Sequence, residues 1–142
     1  MAAEDNVRQA SAQFYAALNQ MLDKGNASAL SDVWAHSPDV TTMHPIGGRE
    51  VGWDQVRSSF EQVAQLCSGG QVLLQNPLLQ ILGDVACESG TESGQATMAG
   101  QSLTFSHRVT NIYRLEGGQW KLVHHHTDVT PAMVDVMSRL QG

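Results

Sequence analysis

The sequence predicts an α+β domain in which three helices lie in the first half of the chain and a long-stranded antiparallel sheet forms the second half. In the first half, apolar residues recur every three or four positions, the period of an amphipathic helix. From Gln71 onward the period changes to two, which indicates strands with one buried face. Helices and strands that are segregated along the chain are typical of α+β folds. We therefore expect a single domain over residues 1–142, long enough for one hydrophobic core.

Three candidate helices precede the sheet. The first is expected to end at Gly25, which can adopt the left-handed conformation that stops a helix. A shorter helix is expected to begin near Asn26. A third begins near Asp54 and ends at Gly69-Gly70. The apolar residues that define the three helices are Val7, Ala10, Phe14, Leu18, Met21 and Leu22; Ala27, Leu30, Val33 and Trp34; and Val56, Phe60, Val63 and Cys67.

Five strands are expected. A short strand at 40–44 leads into a turn at 45–48, and four longer strands follow at 72–82, 85–98, 103–115 and about 120–129. Tight turns join the longer strands, so neighbours in sequence should pair antiparallel. Asn76-Pro77 marks a bulge or an edge position, because proline cannot donate to a strand ladder. The C-terminal tail, 131–142, has helical spacing in Met133, Met137 and Leu140.

Charge and composition exclude several classes of partner. The net charge is −6, from 14 acidic and 8 basic residues, and lysine and arginine form no cluster. Such a chain attracts neither a phosphate backbone nor an anionic membrane, so we expect no nucleic-acid or membrane partner. No apolar run approaches the roughly 20 residues that span a bilayer. The first residues lack the layout of a secretion signal, and we expect a cytoplasmic protein in which Cys67 and Cys87 are reduced thiols.

Three segments resemble the SnoaL-like/nuclear-transport-factor-2-like superfamily. They are the helical segment FYAALN at 14–19, the corner HPIG at 44–47 and the hairpin YRLEGGQWKLVHHH at 113–126. The hairpin is the most specific, since a final strand of this pattern is common in the superfamily. The chain also resembles the association domain of calcium/calmodulin-dependent protein kinase II and ketosteroid-isomerase-like proteins. The resemblance implies a cone of curved sheet closed by three helices. It does not fix the function, because the superfamily includes enzymes, ligand binders and assembly modules.

The resemblance also implies which residues line a pocket. The catalytic base of the steroid isomerases falls on His44 and their pocket acid on Asn111, while the pocket aspartate of the cyclases falls on His125. These three residues should therefore point into one cavity. This chain departs from both families, because histidine and asparagine replace the acids and Val123 replaces the cyclase histidine. Neither mechanism carries over intact.

The candidate catalytic residues are accordingly His44 and His125, and the candidate ligand contacts are Asn111, His107 and Tyr113. Strand alternation places the last three on one face of their strand. Histidine can accept or donate a proton near neutral pH, and the asparagine amide can donate to a carbonyl or a developing enolate. Three functions remain open: a binding protein for a small, largely apolar molecule, an isomerase, dehydratase or cyclase that uses the two histidines, and a non-catalytic association module.

The triple histidine suggests a metal site only weakly. In a strand, His124 and His126 share a face opposite to that of His125, and the sequence supplies no fixed third ligand, although Asp128 continues their face. We therefore expect no tightly bound metal and no cofactor. Apolar residues on both faces of the late strands indicate that a second copy covers the outer face, which predicts a homodimer through the sheet.

Overall fold

The computed structural model describes residues 2–141. The helices are α1 (Ala3–Lys24), a 3₁₀ helix (Ser28–Asp32), α2 (Trp53–Leu66) and α3 (Pro131–Gln141). The strands are β1 (Thr41–His44), β2 (Gly47–Val51), β3 (Cys67–Leu82), β4 (Val85–Met98), β5 (Gln101–Glu116) and β6 (Gln119–Thr127). The predicted α+β class is confirmed.

All six strands form one curved sheet in the order β2-β1-β6-β5-β4-β3. Four pairs of sequence neighbours are antiparallel, β1–β2, β3–β4, β4–β5 and β5–β6, as predicted for the late strands, but β1 pairs parallel with β6. Thr42 lies beside His125 in this pair. The expected antiparallel sheet is therefore a mixed one, because the long stretch from α2 to β5 acts as the crossover that a parallel pair requires.

Helix α1 packs on the inner face of the sheet along its apolar stripe. Val7, Phe14 and Leu18 are among its buried residues. The helix ends at Gly25, whose φ of 66° and N–H bond to the Met21 carbonyl close the last turn, as the sequence predicts. This packing makes one core from the helix and the sheet.

Three elements differ from the sequence prediction. The helix expected at Asn26 is a 3₁₀ helix of five residues, so the N-terminal half has two α-helices rather than three. The expected turn at 45–48 continues into β2, which has too few apolar residues to show alternation. Strand β3 begins directly after α2 and passes through Gly69 and Gly70, which were expected to form a break. The C-terminal tail forms α3, in agreement with its helical spacing in the sequence.

Two glycines allow β3 and β4 to approach closely. A Cβ added to Gly94 would lie 1.9 Å from the Gln71 carbonyl oxygen, and one added to Gly90 would lie 2.8 Å from that of Gln75. The ladder shifts register between Gln75 and Leu78, which confirms the predicted irregularity at Asn76-Pro77 on this edge strand. Because Gly90 and Gly94 have no side chain, β3 can approach β4 closely at these positions and the sheet can bend across β4.

The outer face of the sheet is more polar than predicted. The residues of β4 that point outward are Cys87, Ser89, Thr91, Ser93, Gln95 and Thr97, together with Val85 at the start of the strand. Apolar exposure is concentrated on β3, where Leu73, Leu78 and Leu82 are 54, 58 and 73% exposed. Cys67 and Cys87 are both free thiols. None of the helices among residues 2–141 has the length and apolar character needed to cross a membrane.

Candidate functional site

A cavity of about 60 Å³ lies between the inner face of the sheet and the three α-helices. Its apolar lining consists of Leu18, Met21, Leu22, Pro45, Ile46, Phe60, Val63, Val72, Met98, Phe105 and Met133. Four polar side chains complete the wall: His44, Glu92, His107 and His125. They come from four different strands, β1, β4, β5 and β6, so only the folded sheet brings them together.

His125 is buried on β6, directly opposite Asn111 of β5. Its Nδ1 lies 2.7 Å from the Asn111 Oδ1, and the ring of Phe14 packs edge-on with its centroid 5.1 Å away. Burial lowers the pKa of His125 to about 4, although the negative charge of Glu92 acts in the opposite direction. The imidazole is therefore neutral at physiological pH.

His44 ends β1 and reaches toward α2. Its Nε2 lies 2.8 Å from the hydroxyl of Ser59, and its ring packs edge-on against Phe60 at 4.6 Å. Burial, followed by the proximity of His125, lowers the pKa of His44 to about 3. This second imidazole is also neutral at physiological pH.

Glu92 places a buried carboxylate in the cavity wall. Its Oε1 lies 2.9 Å from the Nε2 of His107, and its Oε2 accepts a 2.8 Å bond from the Tyr15 hydroxyl. The Nδ1 of His107 is 2.7 Å from the Thr130 hydroxyl. Burial alone would raise the pKa of Glu92, but the bond to His107, the nearby histidines and the Tyr15 bond together lower it. Glu92 is therefore ionised at neutral pH.

A second buried carboxylate, Glu88, lies behind the wall. Its Oε1 accepts hydrogen bonds from the Ser11 hydroxyl at 2.9 Å, the Tyr113 hydroxyl at 3.1 Å and the Asn111 amide at 3.2 Å. The same amide nitrogen also donates to the Tyr15 hydroxyl at 3.0 Å. Burial and the adjacent glutamates raise the pKa of both tyrosines, so their hydroxyls remain protonated donors.

Residues 7–131 match the sequence pattern of the SnoaL-like domain family. The chain belongs to this family. A search of curated proteins finds no significant match. Solved structures of similar fold include a candidate dehydratase of the nuclear-transport-factor-2-like family from Streptomyces avermitilis, with 22% identity, a TM-score of 0.76, and 90% of this chain and 96% of that one covered.

Two further solved structures share the fold of this SnoaL-like domain. A candidate aromatic ring hydroxylase from Novosphingobium aromaticivorans is 20% identical with a TM-score of 0.75, and 91% of each chain is covered. A candidate calcium/calmodulin-dependent protein kinase II association domain from Xanthomonas campestris is 21% identical with a TM-score of 0.68, covering 85% of this chain and 86% of that one. At these identities the similarity shows the nuclear-transport-factor-2-like fold.

The structure places the residues predicted from sequence in two layers. His44, His107 and His125 line the cavity of the SnoaL-like domain. Asn111 and Tyr113 do not line it; they are fully buried behind the wall, where they bond to His125 and Glu88 respectively. Both ring nitrogens of His107 are engaged by Glu92 and Thr130, so this ring supports the carboxylate.

Sequence reasoning missed the two glutamates of β4. A signal was present, because Glu88 and Glu92 alternate onto the same face as Ala86, Ala96 and Met98. A carboxylate on an otherwise apolar strand face must be buried with partners, since burying it alone is very costly. Because their neighbours on β4 are glycine and serine, the sequence indicated a strand of small residues that carries no functional group.

The outer histidines lie apart from the cavity. His124 Nδ1 is 2.6 Å from the Thr41 hydroxyl, and the rings of His124 and His126 are 5.9 Å apart on the face opposite His125. Asp128, which continues that face, instead forms two bonds with the guanidinium of Arg108, at 2.8 and 3.0 Å. Within residues 2–141 no group of three or more histidine, cysteine or acidic side chains is arranged to hold a metal ion.

Proposed function

We propose that this SnoaL-like domain binds a small, largely apolar molecule in the cavity. The observation that carries the proposal is the composition of the wall, in which apolar side chains surround four polar groups. Small-molecule sites typically combine apolar walls with a few polar groups that fix orientation. The volume of about 60 Å³ is far below the roughly 300 Å³ of drug-sized sites, so the ligand is small or the wall moves. Met21, Met98 and Met133 supply flexible side chains that can move.

A second candidate function is proton transfer on the bound molecule, as in isomerases and dehydratases. The neutral ring of His125 favours it, because Asn111 occupies Nδ1 and leaves Nε2 as a base. Proton uptake would create an imidazolium, which the negative charge of Glu92 stabilises. The similar fold of a candidate dehydratase is in line with this chemistry. In this proposal His44 and His125 act on the substrate, Asn111 positions His125, and Tyr113 holds the Glu88 carboxylate to which the Asn111 amide also donates.

The test begins with a thermal-shift screen of small neutral compounds. Each compound that raises the melting temperature is incubated with the natural protein in D₂O and analysed by mass spectrometry for deuterium at carbon. We expect uptake that is lost in His125→Gln and reduced in His44→Gln. His126→Gln is the matched control, because its exposed ring belongs to the same strand but points to the other face.

The outcomes separate the two functions. Bound compounds that take up no deuterium in the natural protein would contradict proton transfer and leave binding as the function. A screen without any stabilising compound would contradict binding as well. Equal uptake in His125→Gln and the control would exclude His125 as the base.

We also propose that the chain forms a homodimer through the outer face of its sheet. Leu73, Leu78 and Leu82 support this, since three leucines more than half exposed on one strand form an apolar area that association would cover. A candidate association domain with the same fold is consistent with such an assembly. A non-catalytic assembly role would leave the buried charges of the cavity unexplained, so we place assembly beside ligand binding.

A further inference from the structure

The hydrogen bonds around the cavity fix which ring nitrogens carry protons. At His125, the partner is Asn111, whose amide nitrogen donates to Tyr15 and to the Glu88 carboxylate. The amide oxygen must then be the atom that faces His125 at 2.7 Å, and it can only accept. His125 is therefore protonated on Nδ1, and its Nε2 carries a lone pair.

The position of the proton on the ring of His44 is fixed in the same way by its partner, Ser59. The Ser59 hydroxyl has one proton, and it donates that proton to the Val56 carbonyl at 2.7 Å. Toward the ring of His44, at 2.8 Å, the hydroxyl can only accept. His44 is therefore protonated on Nε2, and the nitrogen left for a ligand, Nδ1, is again an acceptor.

The other two polar groups supply no donor. Glu92 is ionised, and a carboxylate only accepts hydrogen bonds. Its two oxygens already bond to His107 and Tyr15 but retain further lone pairs. His107 uses one nitrogen for Glu92 and the other for Thr130. The polar side chains of the wall can thus only accept hydrogen bonds from a ligand.

We infer that this cavity selects small apolar molecules that carry a hydroxyl group and rejects carboxylates and molecules that can only accept. The inference rests on the proposed binding function and names the chemical class of the ligand. The hydroxyl proton of a ligand can bond to one of three acceptors, namely the Nε2 of His125, the Nδ1 of His44 and the carboxylate of Glu92. A carbonyl oxygen would face the lone pairs of these groups and would find no donor. An anion would in addition enter an apolar space that already contains a carboxylate.

The test compares cyclopentanol with cyclopentanone, which have nearly the same shape and differ in the donor, and with cyclopentanecarboxylate as the anion. Binding to the natural protein is followed at pH 7.5 by NMR titration of the methionine methyl groups in the wall. We expect cyclopentanol to bind about tenfold or more tightly than the ketone, the difference of one satisfied hydrogen bond. The carboxylate should not bind. Equal or tighter binding of the ketone would overturn the inference.

A variant tests the origin of the preference. Ser59→Ala removes the partner that keeps the His44 proton on Nε2, so the ring can turn its N–H to a ketone and the alcohol-to-ketone ratio should fall toward one. Ser58→Ala is the matched control, because its exposed hydroxyl is adjacent on α2 and does not contact His44. A ratio unchanged by Ser59→Ala would contradict the assigned role of His44.

A ligand-free measurement keeps the inference separate from the proposed function. ¹⁵N NMR of the histidine rings in the natural protein should show unprotonated nitrogens at His125 Nε2 and His44 Nδ1. Protons on those nitrogens would overturn the inference even if a ligand is found. If none of the three probes binds, the predicted selection of small hydroxyl compounds is contradicted, whereas the proposed binding function is judged by the wider thermal-shift screen.

Discussion

Two glutamates of β4 are buried in the core of this protein, and neither is explained by stability. Glu88 and Glu92 are both nearly inaccessible to water, and each is held by donors from α1 and from the neighbouring strand. Removing a carboxylate from water costs several kcal/mol, and apolar replacements of buried ion pairs are often neutral or stabilising. The position of Glu92 in the cavity wall therefore supports a role for this residue in the chemistry of the site.

The buried neutral histidines make stability dependent on pH. Histidine titrates near 6.5 in an unfolded chain, whereas the pKa is about 4 for His125 and about 3 for His44 in the fold. At pH values between the folded and the unfolded pKa, the unfolded chain binds more protons than the folded chain, so a fall in pH favours unfolding. We expect each histidine to remove about 2 kcal/mol from the free energy of unfolding between pH 7.5 and pH 5.

Urea unfolding followed at both pH values measures this loss. His125→Gln should reduce the difference between the two free energies, while His126→Gln, on the exposed face, should leave the acid sensitivity in place. A natural protein equally stable at pH 7.5 and pH 5 would show that the buried rings are already protonated or that the cavity opens to water.

The sequence predicted the histidines better than the carboxylates for a physical reason. The family resemblance gave His44 and His125 their positions on the wall, but which groups hold them depends on contacts between distant elements. Tyr15 of α1 meets Glu92 of β4 across 77 positions, and no local pattern encodes that contact. Asn111 was expected to line the cavity, but it lies behind the wall, where its Oδ1 is 2.7 Å from the Nδ1 of His125.

At the scale of elements, alternation and tight turns predicted β4, β5 and their antiparallel pairing, but not β2 or the parallel pair of β1 with β6. These strands are long and one face of each is buried, so a period of two is visible in the sequence. Strand β2 has five residues and no apolar alternation, and it was expected as a turn. The parallel pairing of β1 with β6 also has no sequence signal, because pairing depends on which edges the helices leave open.

The curvature of the sheet depends on Gly94 of β4. Replacing it with alanine would place a methyl group 1.9 Å from the Gln71 carbonyl oxygen, so β3 must move away. We expect Gly94→Ala to reduce the free energy of unfolding by about 3 kcal/mol, as overpacking does. Urea unfolding measures the change.

The control for this variant is Gly69→Ala on the adjacent strand. A Cβ at Gly69 meets no atom within 4 Å, so the substitution should be neutral or slightly stabilising. Equal stability of the two variants would mean that the strands separate easily at Gly94 and that its lack of a side chain does not set the bend.

At the scale of the whole molecule, the outer face of the sheet decides the assembly. Its polar residues on β4 are compatible with water, so the exposed leucines of β3 are the main apolar contribution to association. We expect multi-angle light scattering at micromolar concentration to give about twice the chain mass of 15.4 kDa.

A substitution locates the interface. Leu78→Asp places a charge among the exposed leucines and should give monomers, because a buried unpaired charge is costly. Leu140→Asp, at an equally exposed leucine of α3, should leave the dimer intact. A natural protein that is monomeric, or a dimer that survives Leu78→Asp, would contradict an interface on this face.

The parallel pairing of β1 with β6 also determines when the site can exist during synthesis. Thr41 and His124, which meet in this pair, are 83 positions apart. At roughly 5 to 20 residues per second, a ribosome adds β6 about 4 to 17 s after β1. Until then β1 lacks its parallel partner, and only β2 can pair with it. The cavity is therefore completed only after β6 has been synthesised, and a chain that stalls before β6 carries both glutamates without His125.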